Sequence, residues 1–583
     1  MSRHAVVIGS GAGASVAAWV LATSGFEVTL LEKGRNYFRG LGRPGAPALP
    51  VFGGDEIRAA RNLPGVDPLA EPRTARSQDE AADGVVHSQV GDVNHLANTV
   101  GGGTTHWDAK VPRFFDFDFE MRSRYGPIEN ADLADWPFSY AELAPYYDAV
   151  EVLMGVQGDL AATPDFVLRH APRGPYPMPP SPPMYASLVW AESAAALGYQ
   201  PMPFPMAANS RFYDGRPACT SCGYCSGHGC PINARAGAAV VFVHRALQAG
   251  ARLVTRACVT KIATDARGRA THVEYLAGPE LRAERLPADL VILAASAVES
   301  ARLALLSPGP AHPRGLGNTG DRVGRTLTFH SSVFAGGTLP QRLHAHRGRS
   351  TSHCLLEPAI PDTRSKLARW AGLPFVRGGV CELGGAPYLI DEALTYDALP
   401  QPRTSHKDLM RSSAVRDRNL ALQMLGEDLP QWANRVDLDP EVVDVYGQPV
   451  ARVSYSLHRH EKLASWIWGR RLQKIAQAAG AERSYFTPAG LFGSGGLSAS
   501  RHMAGTLRMG SDPASSVCDG FGRIHGAENV VVCDGSTFPT FSGVNPTLTI
   551  MAVSLRAATA IAHGEAQARR GPHERNAGLG TRV

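Results

Sequence analysis

The opening stretch, HAVVIGSGAGASVAAWVLATSGFEVTLLEKG, alternates an apolar run, a glycine-rich turn, an alanine-rich stretch and a second apolar run. Ala5–Ile8 and Val28–Leu31 have strand length, and the small residues between them suit a helix lying close on a sheet. From Phe38 to Gly84 the chain is rich in Gly, Pro, Ala and charge with little periodicity, which predicts a long surface excursion. A helix is predicted after Trp136, with Ser139 as its cap and Glu142 completing a capping box. The proline-rich run Ala171–Met184 predicts an extended connector. Alternation around Ala251–Ile262 predicts a strand, and ADLVILAASAVESARLALLS a strand followed by a helix. Residues 336–494 show strand-like segments and turns but no chemical motif. The end returns to strand–helix alternation, and the charged, Gly-rich tail 565–583 is predicted to be disordered.

At 583 residues the chain needs more than one hydrophobic core. A hydrophobic fraction of 44% and a charged fraction of 19% are those of a globular enzyme. The net charge of +5 is small and its Lys and Arg are scattered, which argues against nucleic acid as partner. No secretory signal precedes the first strand, so a cytoplasmic location is the expectation. No apolar stretch is long enough to span a bilayer; the best, Leu290–Leu306, carries Glu299 and Arg302.

Gly9, Gly11 and Ala14 fit the G-x-G-x-x-G/A fingerprint, placed between strand and helix as its mechanism requires. Gly9 permits the turn, Gly11 lets backbone approach a pyrophosphate at the helix N-terminus, and Ala14 allows close helix packing. Glu32 ends the second strand, where a carboxylate can bind both ribose hydroxyls. A dinucleotide site is expected; the turn alone does not distinguish FAD from NAD.

Two late segments narrow the reading: RHMAGTLRMG at Arg501–Gly510, and NVVVCDGSTFPTFSGVNPTLTIMAVSLRAATAI from Asn529. Together with VGGGTTHW at Val100–Trp107, ILAASAVESARLALLS at Ile292–Ser307 and VGRTLTFH at Val323–His330, they resemble the glucose–methanol–choline oxidoreductases. The resemblance is nearest the pyranose oxidase, gluconate dehydrogenase and bacterial sugar dehydrogenase branch. Ser296 stands where that family usually has glycine. The resemblance implies FAD as cofactor and His502 with Asn545 as catalytic pair. It also places Gly102, Gly103, Thr105, His106, Val259 and Asp534 at the flavin. The chemistry wants these groups: an imidazole suits removal of a hydroxyl proton near neutral pH, and a carboxamide orients the resulting oxygen. In some relatives the histidine at the place of His106 is covalently bound to the flavin, so covalent attachment is an expectation here.

Four of the nine cysteines fall together as Cys219-x2-Cys222-x2-Cys225-x4-Cys230-Pro. An iron–sulfur cluster is the first reading and a structural zinc the second, with reduced cysteines in a tight turn the third. A cluster would pass electrons to an acceptor protein.

The expected fold is α/β: a Rossmann-like FAD-binding domain with an inserted α+β substrate domain on a mixed, largely antiparallel sheet. The family layout implies FAD-domain segments at 1–110, 205–335 (with the cysteines) and 495–564. Substrate-domain segments are implied at 111–204 and 336–494. The expected reaction is oxidation of a hydroxyl on a sugar, glycoside or related polyol, with a natural-product amino sugar or an oxygen-using alcohol oxidation as alternatives. A non-catalytic flavin or iron–sulfur electron-transfer protein is the reading from another class.

Overall fold

The computed structural model describes residues 3–42, 51–52, 72–77, 88–91, 96–223, 225, 227–345, 348–384, 405–413, 416–489 and 500–572. One six-stranded sheet gathers distant parts of the chain, in the order Arg523–Ile524, Ala527–Val532, Leu290–Leu293, His4–Ile8, Glu27–Glu32 and Arg252–Thr255. Every neighbouring pair is parallel except the first. Its inner strands read as continuous apolar runs because both faces are covered. The helices Ala12–Thr23 and Thr547–His563 pack together over one face. Buried Trp19 lies 5.9 Å from the Phe242 ring. The first strand is central, so the ends of these strands open onto the crevice where doubly wound sheets bind dinucleotides.

A second six-stranded sheet runs Glu482–Thr487, Ser331–Thr338, Asn419–Gly426, Cys381–Leu383, His353–Leu355 and Met202–Pro203. All its pairs are antiparallel. The helix Arg459–Ala478 backs it, burying Trp468, Leu472, Ile475 and Ala476. Those positions recur at helical spacing and leave Lys462, Arg470 and Lys474 exposed. The mixed α/β fold thus matches the expectation.

Three local expectations are corrected. Part of the supposed excursion is a strand, Arg73–Ser77, held between Pro449–Tyr455 and Ser88–Gly91. Its Ala75 is buried and Thr74 Oγ1 donates to Asp439 at 2.7 Å, contacts that no local pattern announces. The rest of that stretch lies largely outside the described residues. Ser139 Oγ accepts from Glu142 N at 3.3 Å, capping Tyr140–Met154. The Glu142 carboxylate, however, does not close the box; it takes Arg556 Nη2 at 2.6 Å instead. The tail begins with a helix, Glu565–Arg570, because Ala568 is buried and its carbonyl accepts from Tyr146 Oη at 2.8 Å. Residues 573–583 lie outside the described residues. Among the described residues no helix is long and apolar enough to cross a membrane.

Candidate active site

The glycine turn comes first in the chain. Gly9 holds φ +98°, and a Cβ there would come 2.5 Å from Ala294 O. Its N–H donates to Leu31 O at 2.8 Å, tying the turn to the second strand. Gly11 caps the helix Ala12–Thr23 without a side-chain hydrogen bond, and a Cβ on it would meet nothing within 4 Å. The open space beyond is a cavity of about 590 Å³. Gly9, Gly11, Glu32, Gly102, Gly103, His106, Val259, His502, Asp534 and Asn545 all line it.

Two sequence candidates do not line it. Ala14 is buried within the helix, and it is Gly13 that the chain after Ala527–Val532 approaches closely, since a Cβ there would stand 1.7 Å from Cys533 O. Thr105 Oγ1 donates to Val100 O at 2.9 Å, bracing its own loop. Glu32 reaches the cavity with both oxygens engaged: Oε2 by Ser10 Oγ at 2.5 Å and Oε1 by Gly34 N at 2.8 Å. Burial pushes its carboxyl pKa up. Each oxygen retains a lone pair for a ribose hydroxyl. Asp534 acts as a clamp. Its Oδ2 accepts from Ser296 N at 2.9 Å and Ser300 Oγ at 2.6 Å, and its Oδ1 from Ser536 N at 2.9 Å.

The far end of the cavity is built by a short antiparallel ladder. Thr328 pairs with Ala504 and Phe329 with Met503, so the next residues, His330 and His502, face each other. Buried Asp428 props this ladder, accepting from Phe329 N at 2.7 Å and Tyr455 Oη at 2.8 Å. His330 stacks on Phe541, with centroids 4.3 Å apart. His330 Nε2 lies 2.8 Å from Ser542 O, and its Nδ1 lies 2.9 Å from His502 Nδ1. A carbonyl only accepts, so His330 Nε2 carries the proton and its Nδ1 is the acceptor. His502 Nδ1 therefore donates, leaving the His502 Nε2 lone pair free for chemistry. Burial, helped by the Lys110 charge, pushes the His502 pKa down to about 4, so the ring is neutral. Burial also holds His330 well below the ordinary value.

Asn545 precedes the helix Thr547–His563, is 6% exposed, and its Oδ1 has no hydrogen-bond partner. His106 is likewise buried, with neither ring nitrogen hydrogen-bonded. Burial first, then the Arg235 charge, lowers its pKa to about 3. A neutral imidazole and a carboxamide, both short of partners, face the same cavity as the glycine cradle. A dinucleotide with a polar ring system fits this arrangement: pyrophosphate against Gly11, ring near His106 and Asn545.

The cysteine loop lies directly behind His106. Gly227 N donates to His106 O at 3.0 Å, and Arg235 Nη2 to Thr105 O at 2.8 Å. Among the described residues no three His, Cys, Asp or Glu side chains are arranged to hold a metal ion. Ser221, Gly223 and Gly227 hold left-handed φ, Cys222 is exposed, and burial pushes the Cys225 thiol up to about 12. The described residues thus give the expected cluster or zinc at Cys219, Cys222, Cys225 and Cys230 no support.

Sequence reading missed His330, Gly13, Lys110 and Glu382, the last two ion-paired at 2.5 Å on the cavity lining. His330 ended a segment already noticed and Gly13 sat inside the fingerprint. Nothing local marked Lys110 or Glu382.

Models of the GMC oxidoreductase family match residues 131–332 and 430–554, and a Rossmann-like NAD(P)-binding model matches 7–40. The chain is 31% identical to 6'''-hydroxyparomomycin C oxidase of Streptomyces lividus, covering 95% of this chain and 90% of that one. It is 29% identical to the fructose dehydrogenase large subunit of Gluconobacter japonicus, covering 96% and 98%. Pyridoxine 4-oxidase from Mesorbium loti has the same fold, with a TM-score of 0.59 at 16% identity over 98% of this chain and all of that one. With its glycine cradle, its clamped histidine pair and these matches along nearly its whole length, the chain belongs to the GMC oxidoreductase family.

Proposed function

We propose that this protein oxidises a hydroxyl group on a sugar, glycoside or related polyol to the carbonyl, using FAD. One observation carries the reading: His502, held neutral with Nε2 unprotonated, shares a cavity with Asn545 and the dinucleotide cradle. His502 Nε2 takes the hydroxyl proton, and the Asn545 carboxamide orients the oxygen left behind. When bound, the isoalloxazine ring supplies the hydride acceptor. His330 fixes the tautomer and ring plane of His502. The relatives' names, a fructose dehydrogenase and a hydroxyparomomycin oxidase, support a polyhydroxylated substrate. Gly9, Gly11 and Glu32 would hold the nucleotide. Gly102, Gly103, His106, Val259 and Asp534 would surround the flavin.

Anaerobic mixing with a panel of sugars, glycosides and simple alcohols tests this. Bleaching of the flavin by polyhydroxylated members supports the reading. A flavin that dithionite reduces but no such compound does would overturn it. If His502→Ala left substrate reduction intact, the non-catalytic flavoprotein reading would replace it.

Three finer points belong to the same proposal. His106, neutral and without a ring hydrogen bond, is the attachment point for a covalent flavin; acid precipitation that frees all the yellow colour would refute this. The division into FAD segments 1–110, 205–335 and 495–564 around substrate segments 111–204 and 336–494 has the two large sheets as its support. A reducing, cytoplasmic setting is part of the proposal, with the lack of any disulfide among the described residues as its support. Electrons leave to an external acceptor, and no step is routed through the cysteine loop. Stoichiometric iron and sulfide in protein purified without oxygen would reverse that last statement.

A further inference from the structure

The ladder that brings His330 to His502 is anchored at one side chain. Asp428 is fully buried, and its Oδ2 accepts from Phe329 N at 2.7 Å and from Tyr455 Oη at 2.8 Å. Phe329 immediately precedes His330. The Asp428 backbone itself pairs antiparallel with Phe541, whose ring stacks on His330 at 4.3 Å. Ser542, the next residue, supplies the carbonyl that accepts from His330 Nε2. One residue thus holds both the chain that carries His330 and the wall against which its ring lies.

This acid has no cation to answer it. Among the described residues Asp428 makes no ion pair, and its Oδ1 has no hydrogen-bond partner. The charge that acts on it is that of a second buried acid, Glu461. Glu461 Oε1 accepts from Leu429 N at 3.0 Å and meets His460 Nδ1 at 3.1 Å. Arg377 N donates to His460 Nε2 at 3.3 Å, so Nδ1 carries the ring proton and donates to Glu461. Glu461 therefore has two N–H donors, whereas Asp428 has one N–H, one hydroxyl and a bare oxygen. Two carboxylates that act on each other away from water do not both ionise. Burial, then the Glu461 charge, pushes the Asp428 pKa well up, and Asp428 keeps its proton. A buried acid of this kind adds little to stability, but a polar group tied to two donors specifies one arrangement of the chains around it.

We infer that Asp428 is a positioning residue for the oxidation, acting through His330 on His502. The inference rests on the proposed reaction and adds a residue to it that does not line the cavity. Its carboxyl fixes the Phe329–Met503 rung, the next residues then meet at 2.9 Å, and His502 presents Nε2 to the substrate. Shape and hydrogen bonding do this, without a charge.

A double-mutant cycle on the holoenzyme tests it, read as anaerobic flavin reduction by the sugar, glycoside or alcohol that reduces the wild type fastest. Asp428→Ala should lower the limiting rate about tenfold, as His330→Ala does, with little change in the half-saturating concentration. The variant carrying both changes should be no slower than His330→Ala alone, because Asp428 acts through that ring. Asp428→Asn, which has the same shape and offers one oxygen to both donors, should restore most of the lost rate. Losses that multiply in the double variant, or Asp428→Asn as slow as Asp428→Ala, would overturn the inference and leave the oxidation reading intact. So would Asp428→Ala at the wild-type rate, or a loss confined to the half-saturating concentration. If Asp428→Ala does not fold, Asp428→Ser takes its place in the same cycle with the same expected outcome. No reduction of the wild-type flavin by any such compound would overturn the oxidation reading and this inference with it.

Discussion

His330 Nδ1 lies 2.9 Å from His502 Nδ1 although 172 residues separate them in the chain. The contact follows from a two-rung ladder, and it gives His502 its useful tautomer. Replacing His330 with Ala should cut the rate of flavin reduction about tenfold, roughly the worth of one hydrogen bond of about 1.4 kcal/mol. His502→Ala should cost about 10²–10⁴-fold, the range for losing a general base. Rapid-mixing measurement of flavin reduction in both variants checks the order. An effect of His330→Ala on KM alone would count against a tautomer role.

Acid should silence the enzyme late. Burial lowers the His502 pKa to about 4, so the base is proton-free above that pH and protonated below it. kcat/KM should hold steady as pH falls toward that value and drop about tenfold per unit beneath it. After burial, Lys110 is the largest influence holding the value down. Lys110→Met should therefore move the acid limb to higher pH. A limb that stays put, or moves lower, contradicts the assignment of this limb to His502.

Ser296 carries φ +82° and ψ 154°, a region in which side chains other than glycine are strained. Its backbone N–H, not its hydroxyl, makes the bond to Asp534. Ser296→Gly keeps that bond and should stabilise the fold by about 1 kcal/mol, read as a rise in Tm. A lower Tm would show that the side chain holds something in place.

Two neighbouring glycines should fail in different ways. A methyl on Gly13 would enter Cys533 O, so Gly13→Ala should destabilise the nucleotide domain by about 1–3 kcal/mol or more. A methyl on Gly11 meets no protein atom within 4 Å and points into the cavity. Gly11→Ala should fold with an unchanged circular dichroism spectrum yet lose flavin on gel filtration. Flavin retained at full stoichiometry would place the pyrophosphate elsewhere.

The sequence by itself determined the parts that are local. The first strand, glycine turn and helix were legible because strand, turn and helix each follow from neighbours in the chain. That His502, Asn545 and His106 line one cavity could be anticipated because each sits inside a recognisable run of residues. The cysteine loop shows where local reading stops: close spacing in sequence suggested a shared metal, yet no three ligating side chains come together among the described residues. Only the tertiary structure decided that Arg73–Ser77 joins a sheet, that His330 sets the proton on His502, and that Lys110 meets Glu382 across 272 residues. Those contacts depend on strand register and on burial, which strip water from charges and fix partners. A linear pattern records neither the partner nor the loss of water.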